Sequence, residues 1–398
     1  MRAVICGAGI AGLTLAWWLE QDGWQVLLVE RAAGPRDAGY MIDFVGSGYD
    51  VAEQMEMLPR LRGIQTVNTM VRYVDPAGRG RGWFDYDGFA VALDGRAFTF
   101  MRGDLERVLY DMLGDRVPVR YETTVDAVAE VEAGVQVVLS DGTVERADLL
   151  VGADGIHSRV RKLAFGPEPP LLRYLGFHTA SYLCADDDLR DRVGAQFLLT
   201  TAPDRQVGLY PTNDGRLAVW LTHRSTDPEL PADPHSALLR TYDGLGDLVD
   251  LALRHCPSGR DLYYDQVSQI ELDGWARGRI TLVGDACQAV SLLAGQGASM
   301  AMGGAYVLAE QLRRDAPERA VARYEERVRP SVRVKQRAGR QTAQWLVPSS
   351  RWRIAARALA FAVTRLPGGV RLAQSVLAGP TASVVPDDGR DTAVQVER

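Results

Sequence analysis

Arg2-Ala3-Val4-Ile5-Cys6-Gly7-Ala8-Gly9-Ile10-Ala11-Gly12 is the stretch from which the fold is read. Arg2 to Cys6 has the apolar run of a short buried strand, and Ile10 to Gln21 has a helical pattern that Gly23 closes. Gln25 to Val29 is a second apolar strand, completing a β-α-β unit. In such a unit Gly7 permits the tight turn, Gly9 lets backbone approach a pyrophosphate, and Gly12 lets helix pack closely on strand. The helix amino end, with Ile10 and Ala11 in its first turn, offers free N–H groups to phosphate oxygens. Glu30 ends the second strand, where a carboxylate can accept hydrogen bonds from an adenosine ribose.

Two further segments repeat the glycine and aspartate theme far along the chain. Gly152-Ala153-Asp154-Gly155-Ile156-His157-Ser158 follows the apolar strand Asp148 to Val151. Val283-Gly284-Asp285 closes another, so Asp285 stands at a carboxyl edge, where open α/β sheets bind ligands. A carboxylate there can bond the hydroxyls of a ribityl chain. Gly295-Gln296-Gly297, with Ala298, then opens a long helix to Leu312. Its N–H groups would face a flavin pyrimidine, whose anionic reduced form the helix dipole favours. One glycine fingerprint suggests only a dinucleotide; the three in this order point to FAD held by distant parts of the chain.

Composition supports a globular protein: of 398 residues, 46% are hydrophobic and 24% charged. A net charge of −6 gives no reason to expect nucleic acid. Cys6, Cys184, Cys256 and Cys287 form no CxxC pair, which argues against zinc or a disulfide framework and fits a reducing cytoplasm. The apolar run from Ala3 to Leu19 could pass for a signal peptide, but its glycines fall at dinucleotide spacing and no small-residue cleavage site follows. No segment reads as a membrane span. His157, His178, His223, His235 and His255 lack metal-ligand spacing, so no metal is expected.

The element pattern predicts an α/β fold: a Rossmann-like FAD-binding domain, an inserted mixed or antiparallel β-sheet substrate domain, and C-terminal helices. Residues 1–70, 98–170 and 275–330 are assigned to a discontinuous FAD-binding domain, and 71–97 and 171–274 to the substrate domain. The pattern from Pro317 to about Ala378 is helical with Pro330, Pro348 and Pro367 as interruptions; residues 331–380 are assigned to C-terminal helices and 381–398 to a flexible tail.

In these segments, and in Glu30-Arg31, Arg36, Gly39 and Arg102-Gly103-Asp104-Leu105, the chain resembles the class A flavoprotein monooxygenases, the p-hydroxybenzoate hydroxylase-like aromatic hydroxylases. The likeness covers roughly residues 1 to 330. It implies that Gly7, Gly9, Ile10, Ala11, Gly12, Glu30 and Arg31 serve the ADP half of a tightly bound FAD. Arg36 and Arg102 would line the flavin and its phosphates. Asp154, with Arg159 and Arg161 nearby, belongs to a segment serving FAD and the nicotinamide cofactor. Asp285, Gly295, Gly297 and Ala298 would hold the ribityl chain and ring. The implied reaction uses NAD(P)H as transient reductant and O₂, and a flavin C4a-hydroperoxide hydroxylates an aromatic or polyketide-like small molecule. Catalysis is then flavin-borne, and no triad or metal cluster is needed.

Four positions depart from the family pattern: Gln288 replaces a histidine, Leu292 a proline, Ser299 an asparagine and Gly304 an acidic residue. Gln288, Leu292 and Ser299 motivate an alternative, an FAD oxidase, dehydrogenase or halogenase-like enzyme on the same fold; the WxWxIP halogenase signature and a second GxGxxG are absent. A non-enzymatic binding protein on the same scaffold is a further alternative. Secondary-metabolite tailoring, aromatic catabolism and tetracycline-destructase-like antibiotic inactivation are not separated. Tyr182, Phe197, Tyr210, Trp220 and Thr222 on inserted strands, with Leu292, are the candidate substrate lining. The arginine-rich stretch Arg351 to Arg365 reads as a solvated helix face rather than a membrane surface, and the expected assembly is a monomer or homodimer.

Overall fold

The structure, a computed structural model, describes residues 1–35, 39–66, 70–85, 93–132, 134–291, 293, 295–364 and 383–385. Strand Arg2–Cys6 lies in parallel between Gln25–Val29 and Leu149–Gly152, and the latter pairs in parallel with Ile280–Leu282. Val119–Arg120 and the antiparallel Ala276–Arg277 complete six strands. Ala3, Val4, Ile5, Leu149, Leu150 and Val151 are wholly buried, as expected of parallel strands covered on both faces. The topology brings three neighbouring strands to end, at one edge, in Gly7, Gly152 and the Val283-Gly284 turn. The three motifs of the sequence therefore converge.

The helix Ile10–Gln21 packs on this sheet because Gly12 has no side chain: a Cβ there would lie 1.9 Å from the Gly7 carbonyl oxygen. Gly284, at φ +63°, is similarly obligatory, since a Cβ would lie 2.6 Å from that of Ala11. The late motif is thus seated directly on the first. The helix Gly297–Arg314 runs beside Ile10–Gln21, and Trp18 and Tyr306 meet edge to face at 5.1 Å.

A second sheet of seven strands contains Met70–Val74, Gly80–Asp85, Leu172–Cys184, Phe197–Ala202, Arg205–Pro211, Leu217–Arg224 and Tyr263–Ile270. It is antiparallel except where Met70–Val74 runs parallel to Phe197–Ala202. Side chains alternate between its faces. Ala180, Tyr182, Val207, Leu209, Val219 and Leu221 pack under the helices Pro234–Tyr242 and Asp247–Arg254. The opposite face carries Phe197, Leu199, Tyr210 and Ala218, with Trp220 at its margin. Between the sheets lies a two-stranded ladder, Met41–Val45 with Ala97–Met101, to which Tyr210 is tied by a 2.8 Å hydrogen bond from the Met41 amide to its hydroxyl.

Two sequence expectations are corrected here. Pro330 does not interrupt the C-terminal helices, but sits inside one continuous helix, Pro317–Leu346. Losing one N–H donor is outweighed by lateral packing of Tyr324, Val328, Val332 and Ala343, all buried. Within the stretch read as a flexible tail, Ser383–Val385 is packed: Val384 and Val385 are buried, and the Val384 amide donates to Ser47 Oγ at 2.9 Å. The other residues of that stretch, and Pro367, lie outside the described residues.

Candidate functional site

A series of neighbouring contacts follows the shared strand edge from Gly9 to Gly295. A Cβ at Gly9 would meet only side-chain atoms, Glu106 Oε1 at 3.3 Å and Arg102 Nη2 at 3.7 Å. Arg102 and Glu106 pair at 2.7 Å on the first two turns of the helix Arg102–Leu113. The Arg102 amide donates to the Tyr40 carbonyl, and the Tyr40 ring lies 6.2 Å from that of Tyr263. Farther on, the place of a Cβ on Gly297 is 3.8 Å from Asp285 Oδ1, and that of a Cβ on Gly295 is 3.9 Å from Asp43 Oδ2.

The ionisable groups along this edge are displaced from their ordinary titration ranges. Asp285 is exposed, yet its carboxyl is raised above the usual range by desolvation, with Arg102 opposing the shift. Tyr40 is pushed up to about 12, first by burial, and Tyr263 is raised well above its ordinary value for the same reason. Asp43 is pushed up to about 6 by burial, while the Thr99 hydroxyl, 3.3 Å from Oδ1, holds it down. Arg102 is kept firmly cationic by Glu106, the largest influence, against desolvation.

This set suits a dinucleotide carrying a polyhydroxylated chain. No side chain caps the amino end of Ile10–Gln21 or of Gly297–Arg314, leaving first-turn amides for a ligand. Arg102 supplies the cation for phosphates and Asp285 an acceptor for hydroxyls. Glu30 accepts from the amides of Ala8 and Ala32, both at 2.9 Å, which fixes its carboxylate beside the glycine loop and leaves acceptor capacity for a ribose.

The comparisons with known proteins agree with that chemistry. Residues 1–338 match the FAD-binding domain family. The chain belongs to that family. A flavin-dependent monooxygenase from an unknown prokaryotic organism is 32% identical over 348 residues, covering 85% of this chain and 88% of its own. The crystal structure of the tetracycline destructase Tet(55) superposes with a TM-score of 0.81 at 26% identity, covering 97% of this chain and 98% of its own. Klebsiella pneumoniae HpxO, solved with FAD and uric acid, shares the fold with a TM-score of 0.78 at 24% identity, covering 96% and 97%. This FAD-binding chain is accordingly a member of the flavin-dependent monooxygenases, with FAD as its cofactor.

Of the residues named from the sequence, Gly9, Arg102, Asp285, Gly295 and Gly297 follow one another along this edge, while several others do something other than expected. Asp154 accepts from Ser158 Oγ and from the amides of Arg159 and Val160, capping its own turn. Arg161 is wholly buried; it donates to the carbonyls of Ile156 and Ala286 and pairs with Glu168 at 2.7 Å, riveting the middle motif to the late one. Arg31 is exposed at the surface. Ile10 and Ala11 are buried packing residues of the helix start. Arg36 and Leu292 lie outside the described residues.

Among the substrate candidates, Phe197, Tyr210, Trp220 and Thr222 share the inner face of the large sheet. Thr222 is fully buried against Thr179. Tyr182 is a correction: it points to the opposite, helix-covered face and donates to the Ala252 carbonyl at 2.8 Å. Two departures from the family pattern also turn out to be one packing solution. A Cβ on Gly304 would lie 2.3 Å from Gln288 Nε2, so Gln288 occupies space that a side chain at 304 would need. Gln288 donates to Tyr324 Oη at 2.6 Å, which in turn donates to the Leu282 carbonyl at 3.1 Å. Ser299 Oγ accepts from the Val45 amide at 3.3 Å.

Tyr40, Asp43, Glu106, Tyr263 and Lys335 escaped the sequence reading. Asp43 had a signal, a lone carboxylate in the apolar run Met41-Ile42-Asp43-Phe44-Val45. Tyr263 had none, since its place depends on a strand more than 200 residues from Tyr40. Among the described residues no group of three or more His, Cys, Asp and Glu could hold a metal. No helix among them is long and apolar enough to cross a membrane.

Proposed function

We propose that the protein uses NAD(P)H and O₂ to hydroxylate an aromatic or polyketide-like small molecule, in the tailoring of a secondary metabolite. One observation carries the reading: the strand Met41–Val45 touches both the apolar face of the large sheet and the glycine end of the cofactor edge. Met41 packs into the apolar cluster of Phe197, Leu199, Tyr210 and Trp220, and Asp43, two residues on and on the same strand face, looks toward Gly295. A flat apolar molecule against the sheet would therefore lie next to the flavin-ring end of the cleft.

Bound FAD supplies the redox and oxygen chemistry. The chain's own part is positional. Gly9 and the helix amide groups receive phosphates, with Arg102 balancing their charge, and Asp285 orients the polyol chain. The apolar inner face excludes water and aims the substrate. The test is substrate-stimulated NAD(P)H oxidation by purified holoenzyme across small aromatics and polyketides, with ¹⁸O₂ present. A product carrying one ¹⁸O atom supports the reading, and stimulated oxidation without labelled product for every compound counts against it.

The likeness to Tet(55) favours a second reading, inactivation of an antibiotic. Including tetracyclines in the same screen separates the two, since a labelled and inactivated drug would displace the tailoring role.

A further inference from the structure

The helix Pro317–Leu346 carries a buried ammonium for which the proposed function has no use. Lys335 is 4% exposed, and its Nζ donates to Gln296 Oε1 at 2.7 Å. Gln296 stands between Gly295 and Gly297 and is the first flanking residue of the helix Gly297–Arg314. Lys162 and Lys335 are the only lysines in a chain with 45 basic residues, and Lys162 is at the surface. The exception to an arginine-dominated composition is thus buried behind the loop that opens this helix.

A buried ammonium is costly without an opposing charge. Desolvation lowers Lys335 to about 8, and no charged neighbour contributes to that shift. The loop does not require this cation for anchorage. Gln336 Nε2 already donates to the carbonyls of Ile270 and Ala289 at 2.8 and 3.0 Å. Gln269 Nε2 donates to the Val290 carbonyl at 2.8 Å. Neutral amides strap the loop from behind, and Lys335 adds a positive charge at its glycine end. A lysine there is a compact point charge on a flexible stem.

We propose that Lys335 sets the redox balance of the bound flavin, its charge reinforcing the positive end of the Gly297–Arg314 helix so that anionic reduced FAD is favoured over neutral oxidised FAD. The inference rests on the reading that the Gly295–Gly297 turn faces the flavin ring. Helix dipole and ammonium act in the same direction, and the low dielectric around a buried group lets the charge be felt beyond its hydrogen-bond partner. Lys335 is a positioning and charge-supplying residue, acting through Gln296.

The test is the two-electron midpoint potential of the holoenzyme at pH 7, in wild type and in Lys335→Gln, Lys335→Met and Lys335→Arg. Lys335→Gln keeps a donor for Gln296 but loses the charge, so it separates charge from anchorage. The expected result is a roughly tenfold weaker preference for reduced flavin in Lys335→Gln and Lys335→Met, about 30 mV for a two-electron couple. Lys335→Arg should stay near the wild-type value. A wild-type potential in Lys335→Gln, or an equal fall in Lys335→Arg, overturns the proposal; whichever neutral variant retains flavin decides it. A wild-type chain that takes up no FAD would instead overturn the functional reading on which the proposal stands.

Discussion

At the phosphate end of the cleft a methyl group on residue 12 would sit 1.9 Å from a carbonyl oxygen, whereas on the inner face of the large sheet Phe197 and Tyr210 meet as rings 4.7 Å apart. The first is a backbone collision with no room to relax. The second is side-chain packing that tolerates exchange of one apolar group for another. The cofactor end is therefore built to one pattern of residue types, and the substrate end can vary within one fold. That difference explains why the residue types of this chain record its cofactor more sharply than its substrate.

The largest expected effect tests the rigidity of the first region. Gly12→Val should abolish folding and flavin retention together, a loss above about 4 kcal/mol, seen as a missing cooperative melt. Gly9→Val meets only the ends of Glu106 and Arg102, so the apoprotein should still melt cooperatively yet purify without flavin. Loss of folding in both, or flavin in both, would erase the distinction.

Lys335 gives the next effect in size. Its folded pKa of about 8 lies below the ordinary 10.5, so the folded state releases this proton first. Stability of the apoprotein should be flat below pH 8 in this respect and rise between 8 and 10.5, where the unfolded chain holds more protons. Relative to Lys335→Met, denaturant melts should show wild type gaining about 3 kcal/mol across that window; a constant gap contradicts the assigned burial. Asp285→Ala should weaken FAD binding by about 1–3 kcal/mol through a lost acceptor, with an unchanged apoprotein melt. Unaltered flavin affinity would remove Asp285 from the site.

The smallest effects probe the sheet's two faces. Tyr182→Phe should cost about 1 kcal/mol of stability and leave substrate kinetics alone. Trp220→Leu should change KM for the substrate about tenfold with normal flavin content. The opposite outcome would mean that the assignment of faces is inverted.

The fold was legible where steric demand leaves a mark in residue type. Gly7, Gly9, Gly12, Gly284 and Asp285 announced a shared strand edge because those positions admit few alternatives. Legibility ended where geometry depends on phase or on distant partners. Tyr182 and Trp220 lie on paired strands, and one step of the two-residue alternation decides which faces the chamber. Asp154 and Arg161 carry the expected motif, but the hydrogen bonds of Asp154 cap its own turn and those of Arg161 join segments. Pro330 reads locally as a helix breaker and is overruled by thirty residues of lateral packing. Tyr40, Tyr263 and Lys335 become site residues only once strands and helices far apart in the chain have met.

The central claim is that three remote segments form one FAD site that drives oxygen chemistry. Anaerobic addition of NAD(P)H to the purified protein, followed by admission of O₂ with substrate, tests it most directly. One FAD per chain should bleach and then recover its colour, with one atom of ¹⁸O from labelled O₂ in the product. A protein that binds no FAD, or whose flavin cycles between the two states without ever transferring oxygen to any compound, would contradict the account.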